Sequence, residues 1–258
     1  MSPRAGTIAL VIALIAGASA ACGRGVFSKV YEYEEDVYLS LDGSAEIVVN
    51  ASIAALVALR GLDLPVDPAE RLDRDAIRAA YTSPVTSVTR VSRPWRRSGR
   101  RYVQVRVQVG DIRRLPEAPP FAWSQYELAQ RDGLYVFKQT LGPSALRPGT
   151  LTNVGWTGDE LVAVRLHLPS RIQWHNARDL ETNTTSEVQR GNILAWEQQL
   201  ADRLDGRRIE IEVRMDTESI LYRTLWLFAG AFLAAVLLLG GLIWLAMRKG
   251  AKEAAIAP

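Results

Sequence analysis

Cysteine, histidine and lysine are nearly absent from this chain. Its 258 residues include one cysteine and two histidines. A lone Cys22 rules out an intramolecular disulfide, so the fold must rest on its core. Cys22, His167 and His175 supply too few nitrogen and sulfur ligands for a zinc centre. No HExxH, CxxC, GxSxG or phosphate-loop pattern occurs. These absences argue against an enzyme, a metal site and a bound cofactor. Internal repeats and low-complexity tracts are missing as well. Between Gly23 and Glu218 only Lys29 and Lys138 are lysines, and the other bases are arginine. That region holds 26 Lys+Arg against 27 Asp+Glu, a net charge of −1. The whole-chain charge of +3 therefore comes from the flanks and gives no argument for a nucleic-acid partner.

What the chain does have is a long apolar run. Leu225–Met247 contains 23 residues without a charge or a proline. At about 1.5 Å per residue it reaches roughly 35 Å, enough to cross a hydrocarbon core of about 30 Å. Tyr222, Trp226 and Trp244 stand where aromatic rings prefer the interface, and Arg248, Lys249 and Lys252 follow at once. The expectation is a single-pass cell-membrane protein with a juxtamembrane segment and span over 219–247. A cytoplasmic tail over 248–258 follows, and the body lies outside the cytoplasm.

The other end reads as an export signal over 1–21. Arg4 gives the basic start, Ile8–Ala16 the apolar region, and Gly17–Ala21 the small residues. Cys22 then stands where a lipoprotein is acylated, although Ser19 occupies a position where leucine is usual. Cleavage after Ala18-Ser19-Ala20 and an uncleaved anchor are the competing readings.

Residues 22–218 are expected to form one exported α+β domain. The pattern predicts a curved, mostly antiparallel sheet with two helices on one face, followed by the transmembrane helix. Asp42-Gly43 and Asp132-Gly133 mark hairpin turns. Ile53–Arg60 reads as a helix ended by Gly61, and Asp67-Pro68 as the start of a second helix running to Tyr81. Tyr102–Val109 alternates with period two, placing Val103, Val105, Val107 and Val109 on one face. Val162, Val164, Leu166 and Leu168 share an inner face, as do Ile209, Ile211, Val213 and Met215. Glu32, Glu34, Glu35 and Asp36 read as a solvated strand end. Asp216–Thr224 reads as a short tether to the bilayer.

Two surface features invite a binding role. The hairpin tip Arg93–Arg101 carries Arg93, Arg96, Arg97, Arg100 and Arg101 around Trp95, a pattern suited to anionic headgroups. Trp95, Trp123, Trp156, Trp174 and Trp196 are candidates to line an apolar cavity.

In the C-terminal third, Leu168-Pro169-Ser170, His175-Asn176 and Gly191-Asn192 with Trp196 precede a final strand ending at Met215 and a membrane helix. This series resembles the actinobacterial LppM-type lipoproteins and their uncharacterised relatives. The resemblance implies a membrane-tethered domain that binds envelope lipids or glycolipids. The expected partners are membrane lipids, a lipid or glycolipid ligand near the bilayer surface, and a membrane protein. The alternative is an envelope scaffold whose sheet edge or loop meets another membrane or exported protein.

Overall fold

The computed structural model describes residues 29–145 and 154–254, the last six as backbone alone. The export signal and Cys22 lie outside the described residues. The chain divides into Met1–Val30 and Tyr31–Pro258, and the fold belongs to the second unit.

Strand β1 (Tyr31–Leu39) and strand β2 (Ala45–Ser52) form the first hairpin. Gly43 takes a φ of +92° in its turn, and the Asp42 carboxylate accepts the Ser44 N–H at 2.9 Å. Ser52 ends β2 and caps helix α1 (Ile53–Arg60), its hydroxyl accepting the Ala55 amide at 3.0 Å. Such a cap contributes about 1 kcal/mol. Gly61, at φ +69°, closes the helix with its N–H returned to the last turn.

The second helix is shorter than its sequence suggests. Helix α2 (Arg74–Tyr81) starts behind Asp73, whose carboxylate accepts the Asp75 amide. Asp67 caps only a turn, accepting the Ala69 amide at 2.8 Å. Asp73 wins because it directly precedes the stretch that buries Ile77 and Tyr81.

Strands β3 (Thr86–Val91), β4 (Trp95–Arg97) and β5 (Arg100–Val109) follow. Two 3₁₀ turns, Ile112–Glu117 and Pro119–Phe121, lead to strands β6 (Ser124–Arg131) and β7 (Leu134–Leu141). The remaining elements are β8 (Leu161–His167), β9 (Ser170–His175), β10 (Ile193–Gln199), helix α3 (Leu200–Leu204), β11 (Ile209–Ser219) and helix α4 (Ile220–Ala254).

The class is α+β, as the alternation indicates, but the strands divide between two sheets. Seven form one sheet in the order β10-β8-β1-β2-β5-β3, with β4 paired to β5. Four form the other, β6-β7-β11-β9. Among the described residues only β1 and β8 pair in parallel. One hydrophobic core joins both sheets and the helices: Ile47 and Val105 from the first, Phe137 and Val213 from the second, Leu56 and Ile77 from α1 and α2. All three expected inner faces are buried.

No tether separates the domain from α4. Strand β11 runs to Ser219 and the helix begins at Ile220, so the segment read as a linker is strand and helix. Ladder hydrogen bonds to β9 extend the strand, with Ser219 opposite Ser170. Ile220–Arg248 is long and apolar enough to cross a membrane, and it is not covered by the domain.

Candidate functional site

The register fixes which residues lie at which end of the larger sheet. The Ile220 amide donates to the Pro169 carbonyl at 2.9 Å, so α4 leaves beside the end of β8. Because β8 and β1 are parallel, His167 and Tyr38 share that end, and Leu161 and Tyr31 mark the other. Antiparallel pairing carries the polarity across β2 to β5, where Val109 lies at the α4 end and Tyr102, opposite Ser52, at the far end. Arg100 lies two residues beyond. At about 3.3 Å per residue the arginine tip is roughly 25–30 Å from the start of α4.

The tip is itself ordered. Trp95–Arg97 pairs with Arg100–Tyr102 across Ser98 (φ +49°) and Gly99 (φ +76°), a tight two-residue turn. Its arginines have unequal roles. Arg93 and Arg96 are exposed, and Arg96 donates to the Pro68 carbonyl; Arg97 is half-buried. Trp95 is 39% exposed and stacks on Tyr102. Arg100 and Arg101 turn inward.

Beneath the tip lies a polar cluster centred on Glu32. Its carboxylate meets Arg100 Nε at 2.7 Å and accepts the Tyr102 hydroxyl at 2.7 Å and Trp156 Nε1 at 3.0 Å. Arg100 also reaches Glu160 at 3.5 Å and donates to the Gly155 carbonyl. Burial opposes the Arg100 charge, but Glu32, Tyr102 and Glu160 outweigh it and hold the guanidinium above its usual value. Burial, then the hydrogen bond to Glu32, pushes the Tyr102 phenol up.

A second cluster lies deeper. Arg60, at the end of α1, donates to Glu35 at 2.8 Å and to the Tyr33 hydroxyl, which donates to Glu35 at 2.6 Å. Glu32 and Glu35 are fully buried, so the acidic run is not a solvated strand end. The register shift between Tyr31 and Tyr33 breaks strict alternation and lets Glu32 and Tyr33 both turn inward. Glu34 and Asp36 do face outward, to Arg165 and His167.

A cleft of about 580 Å³ opens at this end of the domain. One wall is Ser98, Arg100 and Arg101 from the hairpin; the other is Val66 and Pro68, with Ile53 and Ala54 of α1 at the base. It is an open cleft, and none of the five tryptophans lines it. Trp196 is core, its Nε1 donating to Asn176, and Trp156 serves Glu32. Arg214 stacks on exposed Trp174, and Trp123 is exposed. A recess of about 560 Å³ at the opposite end is bordered by Asp111 and Arg114, which pair with Arg113 and Glu117.

No family model matches the chain. No curated protein matches it either. Among solved structures the chain has a weak neighbour. The NMR structure of the folded domain of Mycobacterium tuberculosis LppM shares 12% identity with this chain at a TM-score of 0.36, covering 75% of this chain and 95% of that one. At that distance no property of LppM is carried over to this protein.

The remaining motif residues hold the framework. Asn176 accepts Trp196 Nε1 and the Glu212 amide and donates to the Glu210 carbonyl, tying β9 and β10 to β11. Asn192, at φ +62° after Gly191 at +92°, donates to the carbonyls of Leu168 and Ser170. With Pro169 it secures the place where α4 begins. His175 lies at the end of β9, and burial lowers its pKa. Among the described residues no group of three or more His, Cys, Asp or Glu side chains could hold a metal ion.

Proposed function

We propose that this protein is a single-pass membrane-tethered binding module that takes an amphiphilic ligand, a lipid or glycolipid, in the cleft at its far end. The cleft carries the reading. It combines apolar walls from Ile53, Ala54, Val66 and Pro68 with two inward-turned arginines, a pairing suited to a molecule with an apolar part and a charged head. Helix α4 supplies the anchor. The basic residues after it favour a cytoplasmic tail and an extracytoplasmic body. The cleft lies at the far end of the strands from α4, so in this reading an occupant leaves the anchoring membrane or arrives from elsewhere.

The test is mass spectrometry of lipids that co-purify with the full chain from membranes. Wild type should carry one lipid class enriched over the bulk membrane. Val66→Trp, which fills the cleft from a half-buried loop position, should lose that enrichment. Equal lipid profiles for the two proteins would sink the reading.

A further inference from the structure

Among the described residues, the cleft contains a buried positive charge without a counter-ion. Arg101 is 8% exposed and lines the cleft. Its terminal nitrogens donate to the carbonyls of Glu70 and Pro65, while its Nε has no hydrogen-bond partner. The two buried acids nearby, Glu32 and Glu160, are taken by Arg100. Asp67 on the rim is exposed and accepts the Ala69 amide. A guanidinium buried against neutral carbonyls alone is costly to desolvate and gains from any anion brought to it.

A second, independent donor set meets the same space. Helix α1 begins at the base of the cleft, where Ile53 and Ala54 form part of the lining. The first amides of a helix have no partner within it, and here Ser52 satisfies only that of Ala55. The remaining amides and the positive end of the helix dipole favour an oxyanion.

We infer that the cleft is a phosphate site, with a phosphoryl group seated between Arg101 and the start of α1 and the rest of the ligand against Val66 and Pro68. This rests on the amphiphile reading above and sharpens it by naming the head group. The phosphoryl group can belong to a phospholipid or to a soluble phosphate ester, since both present the same oxygens.

The experiment uses the full chain in micelles of an uncharged maltoside detergent, with binding followed by calorimetry. The probes are inorganic phosphate, a short-chain phosphatidic acid and the matching uncharged diacylglycerol. Wild type should bind phosphate and phosphatidic acid saturably. Arg101→Gln should weaken both by at least about tenfold, the usual scale for losing a charged hydrogen-bond partner, and leave diacylglycerol unchanged. Arg101→Lys should recover part of the loss. Much tighter binding of phosphatidic acid than of phosphate assigns the site to a lipid; similar affinities assign it to a soluble ester. Wild type that binds diacylglycerol but no phosphate overturns the phosphate site and spares the amphiphile reading. Wild type that binds none of the three ends both. If Arg101→Gln does not fold, Val66→Trp decides, since it narrows the cleft without touching the charge. Undiminished phosphate binding by that variant overturns the inference.

Discussion

The Pro169 carbonyl and the Ile220 amide meet at 2.9 Å, and that bond sets the polarity of the domain. It places the first turn of α4 against the loop that joins β8 to β9. With Ser219 still paired to Ser170, there is no slack between sheet and helix. The far end of the larger sheet, with its cleft and arginine tip, is therefore held away from the helix by the length of the strands.

The core should be sensitive to charge on one face of β5 only. Val105 is fully buried, whereas Gln108 is exposed. Val105→Asp buries a carboxylate without a partner and should cost several kcal/mol, comparable with a domain stability of about 5–15 kcal/mol. Gln108→Ala should cost less than about 1 kcal/mol. Chemical denaturation of the two variants checks this; similar losses would place the strand in a different register.

Two ion pairs in neighbouring positions of β1 should differ sharply. Glu32 is fully buried beside Arg100, and Glu32→Gln should destabilise by about 3–5 kcal/mol because it leaves a buried guanidinium short of its partner. Glu34 pairs with Arg165 on the outer face, and Glu34→Gln should cost about 1 kcal/mol or less. Urea melts of both variants measure the difference. A small loss at Glu32 would show that the acid is solvated.

Stability should fall above pH 10. Burial pushes the phenols of Tyr33, Tyr81 and Tyr126 above their ordinary value of 10.0, and burial with the Glu32 hydrogen bond does the same to Tyr102. A group whose pKa is raised on folding contributes fully below its unfolded value, and that contribution is lost as pH climbs toward the folded one. Arg203 acts in the opposite sense, its pKa lowered to about 10 by burial and then by Arg60, but it is one group against four. Melting temperatures from neutral to alkaline pH should hold steady and then drop beyond pH 10, with the phenolate absorbance of these four buried tyrosines rising only as the fold is lost. A full phenolate signal from folded protein at pH 10–11 would contradict the buried assignments.

Much of this architecture is legible in the residues. Exact alternation marks the inner face of β5, and Asp132-Gly133, with both residues at positive φ, marks the β6–β7 hairpin. Helix α1 was readable because Ser52 caps it and Gly61 ends it. The burial of the acidic strand is not legible, because one register shift turns Glu32 inward and alternation carries no trace of the Arg100 or Arg60 that receives these acids from distant segments. Strand β9 carries no strand signal in the residues, because Pro169 precedes it and its pairing with β11 is long-range. The arginine tip was visible as a charge cluster, but its distance from α4 depends on three successive strand pairings. The cleft was not visible at all, since its walls come from separate segments that only the fold brings together.

The most direct test is depth in a bilayer. The full chain with Cys22→Ser would be reconstituted with one fluorophore, attached at Ser98→Cys on the tip or at Thr217→Cys beside α4. Lipids carrying a headgroup quencher would then report proximity to the membrane surface. With the tip roughly 25–30 Å from the helix start, the label at Ser98 should remain bright and that at Thr217 should be strongly quenched. Strong quenching at Ser98 would mean that the arginine tip lies on the membrane and that the cleft faces the bilayer.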